Sequence, residues 1–371
     1  MACNSQKNIK LREITVNSQI KIGQRVLSKS SKPFIIAEAG INHNGDLDTA
    51  KKMVLVAKEA GCDAVKFQTF TAAEFCGDPT QMFTYTSQGK EVTEPMLDMF
   101  QRHEFSLQQW QELKEFCSLE RICFLSTPQN VIDLQLLLSL DIDAIKVGSD
   151  DFTNIPLLKR YRKANLPMIL SCGMSDLSEV HQALDALNVI HDPAPNVILC
   201  LCTSQYPTPA TDINLNKLKT LEGAFPNIIK GFSDHSQGPL ASSLAVAFGA
   251  ILFEKHFTLD NQMSGPDHWF SENPESLKIW TDSIRTAHTM LGSHTVAPTK
   301  AEKKMRTLAR RSIVALKDIK RGEFFSEENI GLRRPGNGLS PILFEEILGL
   351  KASRKIDATQ LLQFGDFKHG T

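Results

Sequence analysis

Eight short apolar segments between residues 34 and 256 constrain this chain more than any other feature. They fall at 34–38, 64–68, 123–127, 144–148, 168–172, 197–201, 228–232 and 251–256. Each has the length of a strand, and the stretches between them mostly place apolar residues at helical spacing. Across 48–60, Ala50, Met53, Val54 and Ala57 mark one helix face and Gly61 supplies the stop. The windows 107–119, 131–140 and 155–164 repeat the pattern. Strands joined through helices pair in parallel, because the connection must cross back over the sheet. Eight such strands are the number that closes a (β/α)8 TIM barrel, an α/β fold. An open doubly wound sheet is the alternative.

After residue 293 the rhythm changes. The stretch 294–310 reads as a linker, and the basic run through it (Lys300, Lys303, Lys304, Arg306, Arg310 and then Arg311, against Glu302) reads as a solvated face. Beyond it, Gly322, Gly331, Gly336, Gly338 and Gly349 punctuate short elements, with strands expected at 312–315 and 355–356. This gives a small domain at 311–371, a size that is marginal alone and often packs on a partner. Residues 1–32 form an extension before the barrel at 33–293. Within that extension Ile14, Val16, Ile20 and Ile22 share one parity, the signature of a hairpin.

Composition narrows the function classes. The 371 residues carry a formal charge of −1, so bulk attraction to nucleic acid or to an anionic membrane is not expected. A local cluster of lysines could still hold a small anion. No apolar run approaches eighteen residues, and the first residues lack the apolar core of a secretory signal, so a cytoplasmic location is expected. The eight cysteines form no CxxC pair and lie mostly in apolar stretches, which suits reduced structural thiols.

The polar residues inside the apolar segments carry the chemistry. Reactive groups of a barrel project from the C-terminal ends of its strands. Here the segments end in, or run into, Glu38, Gln68, Thr127, Ser149, Ser204, Tyr206, Ser233, His235 and His256, with Lys66, Lys146 and Glu254 inside them. Period-two alternation puts Glu38 on the face of Ile36 and Phe34, His235 on that of Ser233 and Gly231, and His256 on that of Glu254. A charge inside an apolar strand costs several kcal/mol unless it is paired or used. Repetition at one end of most strands points to an active site. His235 and His256, from adjacent strand ends, could share a divalent metal, or could simply hydrogen-bond in the barrel mouth. Glu38 suits a ligand, a general base or an anchor for sugar hydroxyls. Lys66 and Lys146 suit a phosphate or carboxylate, and a Schiff-base lysine is the rival use. Hydroxyls of Thr127, Ser149, Ser204 and Ser233 could complete the binding of an oxyanion.

Beside that reading stands a specific likeness. The run Ala37-Glu38-Ala39-Gly40-Ile41-Asn42-His43-Asn44-Gly45-Asp46 is followed in order by Val65-Lys66-Phe67-Gln68, Ser126-Thr127-Pro128 and Lys146-Val147-Gly148-Ser149. Next come Cys202-Thr203-Ser204-Gln205-Tyr206-Pro207, Ser233-Asp234-His235, Glu254-Lys255-His256, Gly265-Pro266-Asp267 and Arg334-Pro335-Gly336-Asn337-Gly338. The chain thereby resembles the N-acetylneuraminate (sialic acid) synthase family from about Pro33 onward. The resemblance implies a TIM barrel followed by a small C-terminal SAF, or type III antifreeze-like, domain. It implies condensation of phosphoenolpyruvate with an N-acylated amino sugar, either N-acetylmannosamine or a 6-deoxy-2,4-diacetamido analogue. It implies His235 and His256 as ligands of a divalent metal, usually Mn2+, with Mg2+ or Co2+ as other choices. Lys66, Thr127, Lys146, Ser149, Ser204 and Ser233 match positions that hold phosphoenolpyruvate, and Glu38 matches a carboxylate that acts on the sugar or the attacking water. Gln68, Tyr206 and Asp267 match positions near the sugar. Arg334 matches an arginine that caps the partner's barrel in a domain-swapped homodimer. Two departures bear on sugar choice: Ser204 stands where many bacterial members have asparagine, and Asp150-Asp151 replaces a Gly-Glu pair. A Schiff-base aldolase and a non-catalytic polysaccharide-assembly protein are the rival functions.

Overall fold

The computed structural model describes residues 19–368. Contacts divide the chain into two compact units, 1–292 and 293–371. The first is built on eight parallel strands: β1 (Phe34–Gly40), β2 (Ala64–Thr69), β3 (Cys123–Pro128), β4 (Ile145–Val147), β5 (Met168–Ser171), β6 (Val197–Cys202), β7 (Ile229–Ser233) and β8 (Leu252–His256). Strands β4 to β8 pair consecutively, as do β1 to β3, and β8 returns to pair with β1. That return excludes the open doubly wound sheet. The ladder is unpaired only between β3 and β4, which still lie side by side.

A helix follows each strand: α1 (Leu47–Glu59), α2 (Leu107–Glu120), α3 (Val131–Ser139), α4 (Ile155–Arg162), α5 (Leu177–Ala186), α6 (Asn216–Ala224), α7 (Leu240–Ala247) and α8 (Pro274–Leu291). Local chemistry starts several of them. Asp46 accepts from the Thr49 amide at α1, and Ser106 and Asp176 form capping boxes at α2 and α5. The two faces of the sheet own separate cores. Outward residues such as Ile35, Val65, Phe124 and Leu199 pack on the helices with Trp110 and Trp280. Inward residues Phe34, Ile36, Leu125, Ile169, Ile198 and Ile229 fill the barrel.

The hairpin expected before the barrel pairs Ile20–Ile22 with Arg25–Leu27; the expected members Ile14 and Val16 lie outside the described residues. Its Ile20, Ile22 and Leu27 join the inward core, so it plugs the N-terminal end of the barrel. A second hairpin, Met82–Ser87 with Lys90–Pro95, interrupts the β2–α2 connection where no strand was expected. Gln88 and Gly89 at its tip both have positive φ (51° and 73°), the twist that a two-residue hairpin turn demands.

The second unit opens with a helix over Lys300–Ala309, capped by Thr299, that buries none of its side chains. Strand Ser312–Ala315 pairs with Ile330–Arg333 over a core of Ile313, Phe325, Ile330, Ile347, Ile356 and Leu362. The strand expected at 355–356 is a single bridge, Ile356 to Ile319; the second pair is Lys351–Ala352 with Phe367–Lys368. Cysteines from Cys62 to Cys202 are free thiols, and no helix among the described residues is long and apolar enough to cross a membrane.

Candidate active site

Alternation along the strands decides which polar side chains enter the barrel. Cross-strand register then sets Glu38 beside both Lys66 and His256, and Ser233 beside Glu254. The result is a buried chain of four charges. Lys66 Nζ lies 2.7 Å from Glu38 Oε2 and 3.8 Å from Glu254 Oε2, and Lys146 Nζ lies 3.3 Å from Glu254 Oε1. None of the four is more than 5% exposed. Hydroxyls complete the set. Lys66 donates to Thr127 Oγ1 at 3.0 Å, Lys146 donates to Ser171 Oγ at 2.9 Å, and Ser233 donates to Glu254 Oε1 at 3.0 Å.

The two carboxylates differ in proton affinity. Burial drives the Glu38 carboxyl up to about 7, with Lys66 opposing and Glu254 adding to the rise. Burial works against the Glu254 charge too, but Lys146 and Lys66 flank it and hold it down to about 2. Near neutral pH, Glu254 is a fixed anion and Glu38 can exchange a proton. Pairs of acids pushed apart in this way are how a site divides its acid and base duties.

Above this layer sit the aromatic and imidazole groups. The rings of His235 and His256 lie 5.6 Å apart between centroids. His235 Nδ1–H donates to the Thr203 carbonyl at 2.7 Å, so the neutral ring carries its lone pair on Nε2; burial works against a charge here, but Cys202 and the Thr203 carbonyl raise the ring's pKa overall. His256 Nδ1 is buried without a hydrogen-bond partner, and burial, with His235 and Lys66 nearby, holds the ring well below its ordinary pKa. Asp267 Oδ2 stands 4.0 Å from His256 Nδ1, and burial raises its carboxyl to about 6. Tyr206 packs on His235 at 4.2 Å, and Phe270 packs on His256 at 5.4 Å and on Tyr206 at 5.1 Å.

Two glycines show how closely these groups converge. A Cβ on Gly40 would stand 3.4 Å from Glu38 Oε1 and 3.7 Å from both Asp267 Oδ2 and His256 Cε1. On Gly173 it would stand 2.6 Å from Ser149 Oγ and 2.7 Å from Ser204 Oγ, leaving no room for it. The Gly173 amide donates to Ser149 Oγ at 3.1 Å. Gln68, half-buried, faces Thr127 in register.

A family model described as the NeuB family matches residues 53–296. The chain belongs to the NeuB family. A second model, the SAF domain, matches residues 310–368. Among relatives of this NeuB-family chain, the N,N'-diacetyllegionaminic acid synthase of Campylobacter jejuni is 40% identical over 332 residues, covering 90% of this chain and 99% of that one. The human N-acetylneuraminate-9-phosphate synthase is 34% identical over 304 residues, covering 81% and 82%. The solved N-acetylneuraminic acid (sialic acid) synthetase of Leptospira borgpetersenii superposes with a TM-score of 0.69 at 30% identity, covering 78% and 95%. The sialic acid synthase resemblance and the barrel-plus-SAF architecture read from the sequence both hold.

Within this NeuB-family barrel, the structure brings together Glu38, Lys66, Thr127, Lys146 and Ser233 in one layer and Tyr206, His235, His256 and Asp267 in the next. Arg334 lies on an exposed turn of the second unit. Two groups were not named in the sequence analysis, Ser171 and Phe270, and Glu254 was named there without a role. Glu254 was the most legible, since it shares the inward face of His256. Phe270 lies in a loop without periodicity.

For a divalent ion the donor set is two imidazoles, each with a nitrogen free of protein hydrogen bonds. Among the described residues no group of three or more His, Cys, Asp or Glu side chains is placed to hold a metal. The pair fits an ion whose remaining positions belong to water and substrate.

Proposed function

We propose that this NeuB-family chain condenses phosphoenolpyruvate with an N-acylated amino sugar and water, giving a sialic acid-type nonulosonic acid and phosphate. The observation that carries the reading is the buried Glu38–Lys66–Glu254–Lys146 chain beneath two histidines. Carbon 3 of the enol attacks the sugar aldehyde, water adds at carbon 2, and phosphate leaves by carbon–oxygen cleavage.

Each residue type suits a part of that reaction. Lys66 and Lys146, with Thr127, Ser149, Ser204 and Ser233, offer two cations and four hydroxyls to the phosphate and carboxylate of phosphoenolpyruvate. Glu254 keeps both lysines oriented as those anions arrive and leave. Glu38 takes the proton of the attacking water, or passes one to the new hydroxyl, from a carboxyl already tuned near neutrality. Gln68, Tyr206 and Asp267 line the sugar. His235 and His256 would hold Mn2+, or Mg2+ or Co2+, which when bound supplies a Lewis acid for the aldehyde oxygen.

A Schiff-base aldolase fits less well. Its lysine must be neutral to attack a carbonyl, whereas here both amines are ion-paired, and although burial lowers the Lys146 ammonium, Glu254 together with Cys200, Cys202 and Glu38 raises it overall. A non-catalytic role leaves four buried charges without a use.

The legionaminic-type relative supports a 6-deoxy-2,4-diacetamido sugar ahead of N-acetylmannosamine. The test is to incubate the protein with phosphoenolpyruvate, Mn2+ and each sugar, reading phosphate and product mass. Release of phosphate requiring both sugar and metal is expected. Activity that survives exhaustive chelation removes the metal role, and a borohydride-trapped pyruvate adduct moves the reading to the aldolase. We assign Arg334 to the partner's barrel in a domain-swapped homodimer. Refolding an equal mixture of Glu38→Gln and Arg334→Ala chains should then return about a quarter of wild-type activity, because half the dimers are hybrids with one intact site. No recovery after verified exchange refutes the swap.

A further inference from the structure

Asp234 and Lys255 each neighbour a histidine in sequence, yet point away from the barrel interior. Asp234 stands between Ser233 and His235, and Lys255 between Glu254 and His256. Both are buried behind the sheet, 1% and 3% exposed, and Lys255 Nζ lies 3.1 Å from Asp234 Oδ2. Glu272, also buried, lies 3.5 Å from the same ammonium.

The hydrogen bonds of this trio converge on the backbone that carries the two imidazoles. Asp234 Oδ1 accepts from the Ser236 amide at 2.9 Å and from Ser236 Oγ at 2.6 Å, which closes a tight turn around His235. Its other oxygen accepts from Ser242 Oγ at 2.6 Å, and Ser242 in turn accepts from Trp280 Nε1 at 2.9 Å, so the turn is moored to α7 and α8. Lys255 donates to the carbonyls of Ser236 and, at 3.0 Å, Gly238, tying down the far side of the His235 turn from the strand that bears His256. Glu272 binds both sides. Its amide donates to the His256 carbonyl at 2.9 Å, and its carboxylate accepts from the Gly238 amide at 3.1 Å.

We infer that Asp234, Lys255 and Glu272 are positioning residues: a buried clamp behind the sheet that fixes the spacing of His235 and His256. The inference rests on the function proposed above. A buried ion pair is a poor source of stability, because desolvation offsets most of its attraction. A clamp in which all but one of these hydrogen bonds, the one to Ser242, end on the two histidine-bearing segments gains its value in geometry instead. Outer partners of this kind commonly change metal affinity by about 10–100-fold when removed.

Asp234→Asn and Asp234→Ala separate geometry from stability. Both remove the charge opposite Lys255, but asparagine keeps an oxygen for the Ser236 amide and so keeps the turn. The readouts are Mn2+ affinity by electron paramagnetic resonance, urea unfolding, and the imidazole separation in crystals of each variant. Asp234→Ala should bind Mn2+ about 10–100-fold more weakly, with a displaced His235 ring. Asp234→Asn should recover most of that affinity despite its equal charge loss. Equal affinities for the two folded variants, or wild-type affinity in Asp234→Ala, would overturn the clamp. Should the alanine chain fail to fold, Lys255→Met answers the same question, because it spares the Asp234 turn and releases only the Ser236 and Gly238 carbonyls. If wild type binds no Mn2+, the metal reading fails by itself, and an unmoved His235 ring in the variants then overturns the clamp independently.

Discussion

At the N-terminal end of the barrel, Ile20, Ile22 and Leu27 of the hairpin meet Phe34, Ala64 and Leu252 in a buried apolar layer. At the C-terminal end, two or four residues further along the same strands, Glu38, Lys66 and Glu254 are just as buried but charged. One strand thus serves both ends: β1 contributes Phe34 to the plug and Glu38 to the site. Burial alone therefore says nothing about purpose. Apolar groups gain roughly 25 cal/mol per Å2 on leaving water, whereas buried ions lose solvation that their partners only partly return. The first end is where the fold collects stability, and the second is where it can be given up for chemistry.

The largest test of that division removes a charge pair. Glu38→Gln combined with Lys66→Met should lower turnover by about three decades, close to 4 kcal/mol of transition-state stabilisation. Unfolding free energy should stay level or rise by about 1–4 kcal/mol, as replaced buried pairs often do. Urea denaturation showing a loss above about 2 kcal/mol would mean that the charged end also carries the fold.

The opposite change sits at the plug. Phe34→Ala should cost about 3–4 kcal/mol of stability through the cavity it leaves, with the KM for phosphoenolpyruvate unchanged. A shifted KM in a folded variant would show that the two layers communicate.

A smaller effect sharpens the contrast within the charged end. Glu38 must shed its proton to act as a base, and its carboxyl lies near 7. kcat/KM should therefore fall about tenfold per unit below that value, and the profile of Glu38→Gln should lose this limb. The same elevation makes the folded state the tighter proton binder from about 4.5 to 7, so Glu38 makes the fold less stable as pH rises through that window. An unchanged acid limb in Glu38→Gln would assign the proton to another group.

What the sequence disclosed follows the same line between regular and irregular structure. The eight strands were legible as short apolar runs, because both faces of a barrel strand are buried, and Lys66 and Lys146 announced themselves as charges inside those runs. Glu254 was visible by parity with His256, but its place between the two lysines depends on how the strands pair across the barrel. The hairpin at 82–95 left only a weak alternation, since its burial on either face is partial. Phe270 belongs to a loop, where nothing in the chain fixes which way a side chain points until the loop is packed. The outward turn of Asp234 and Lys255 follows from strand parity as well. Their meeting required knowing that β7 and β8 are neighbours.

The hairpin plug has a consequence for how such a chain is made. Ile20, Ile22 and Leu27 leave the ribosome before any barrel strand, yet part of their seat is Ile251 and Leu252, at the start of the last strand. For nearly the whole synthesis of the barrel, this apolar group has no finished place to go. Contacts so distant in sequence are slow to form, because the loop between them must be closed first. Until β8 arrives the nascent chain carries an exposed greasy tag at its front end, the sort of surface that chaperones hold and that aggregates recruit. The pairing of β8 with β1, which sets His256 beside Glu38, has both its strands only when the rest of the barrel has been made.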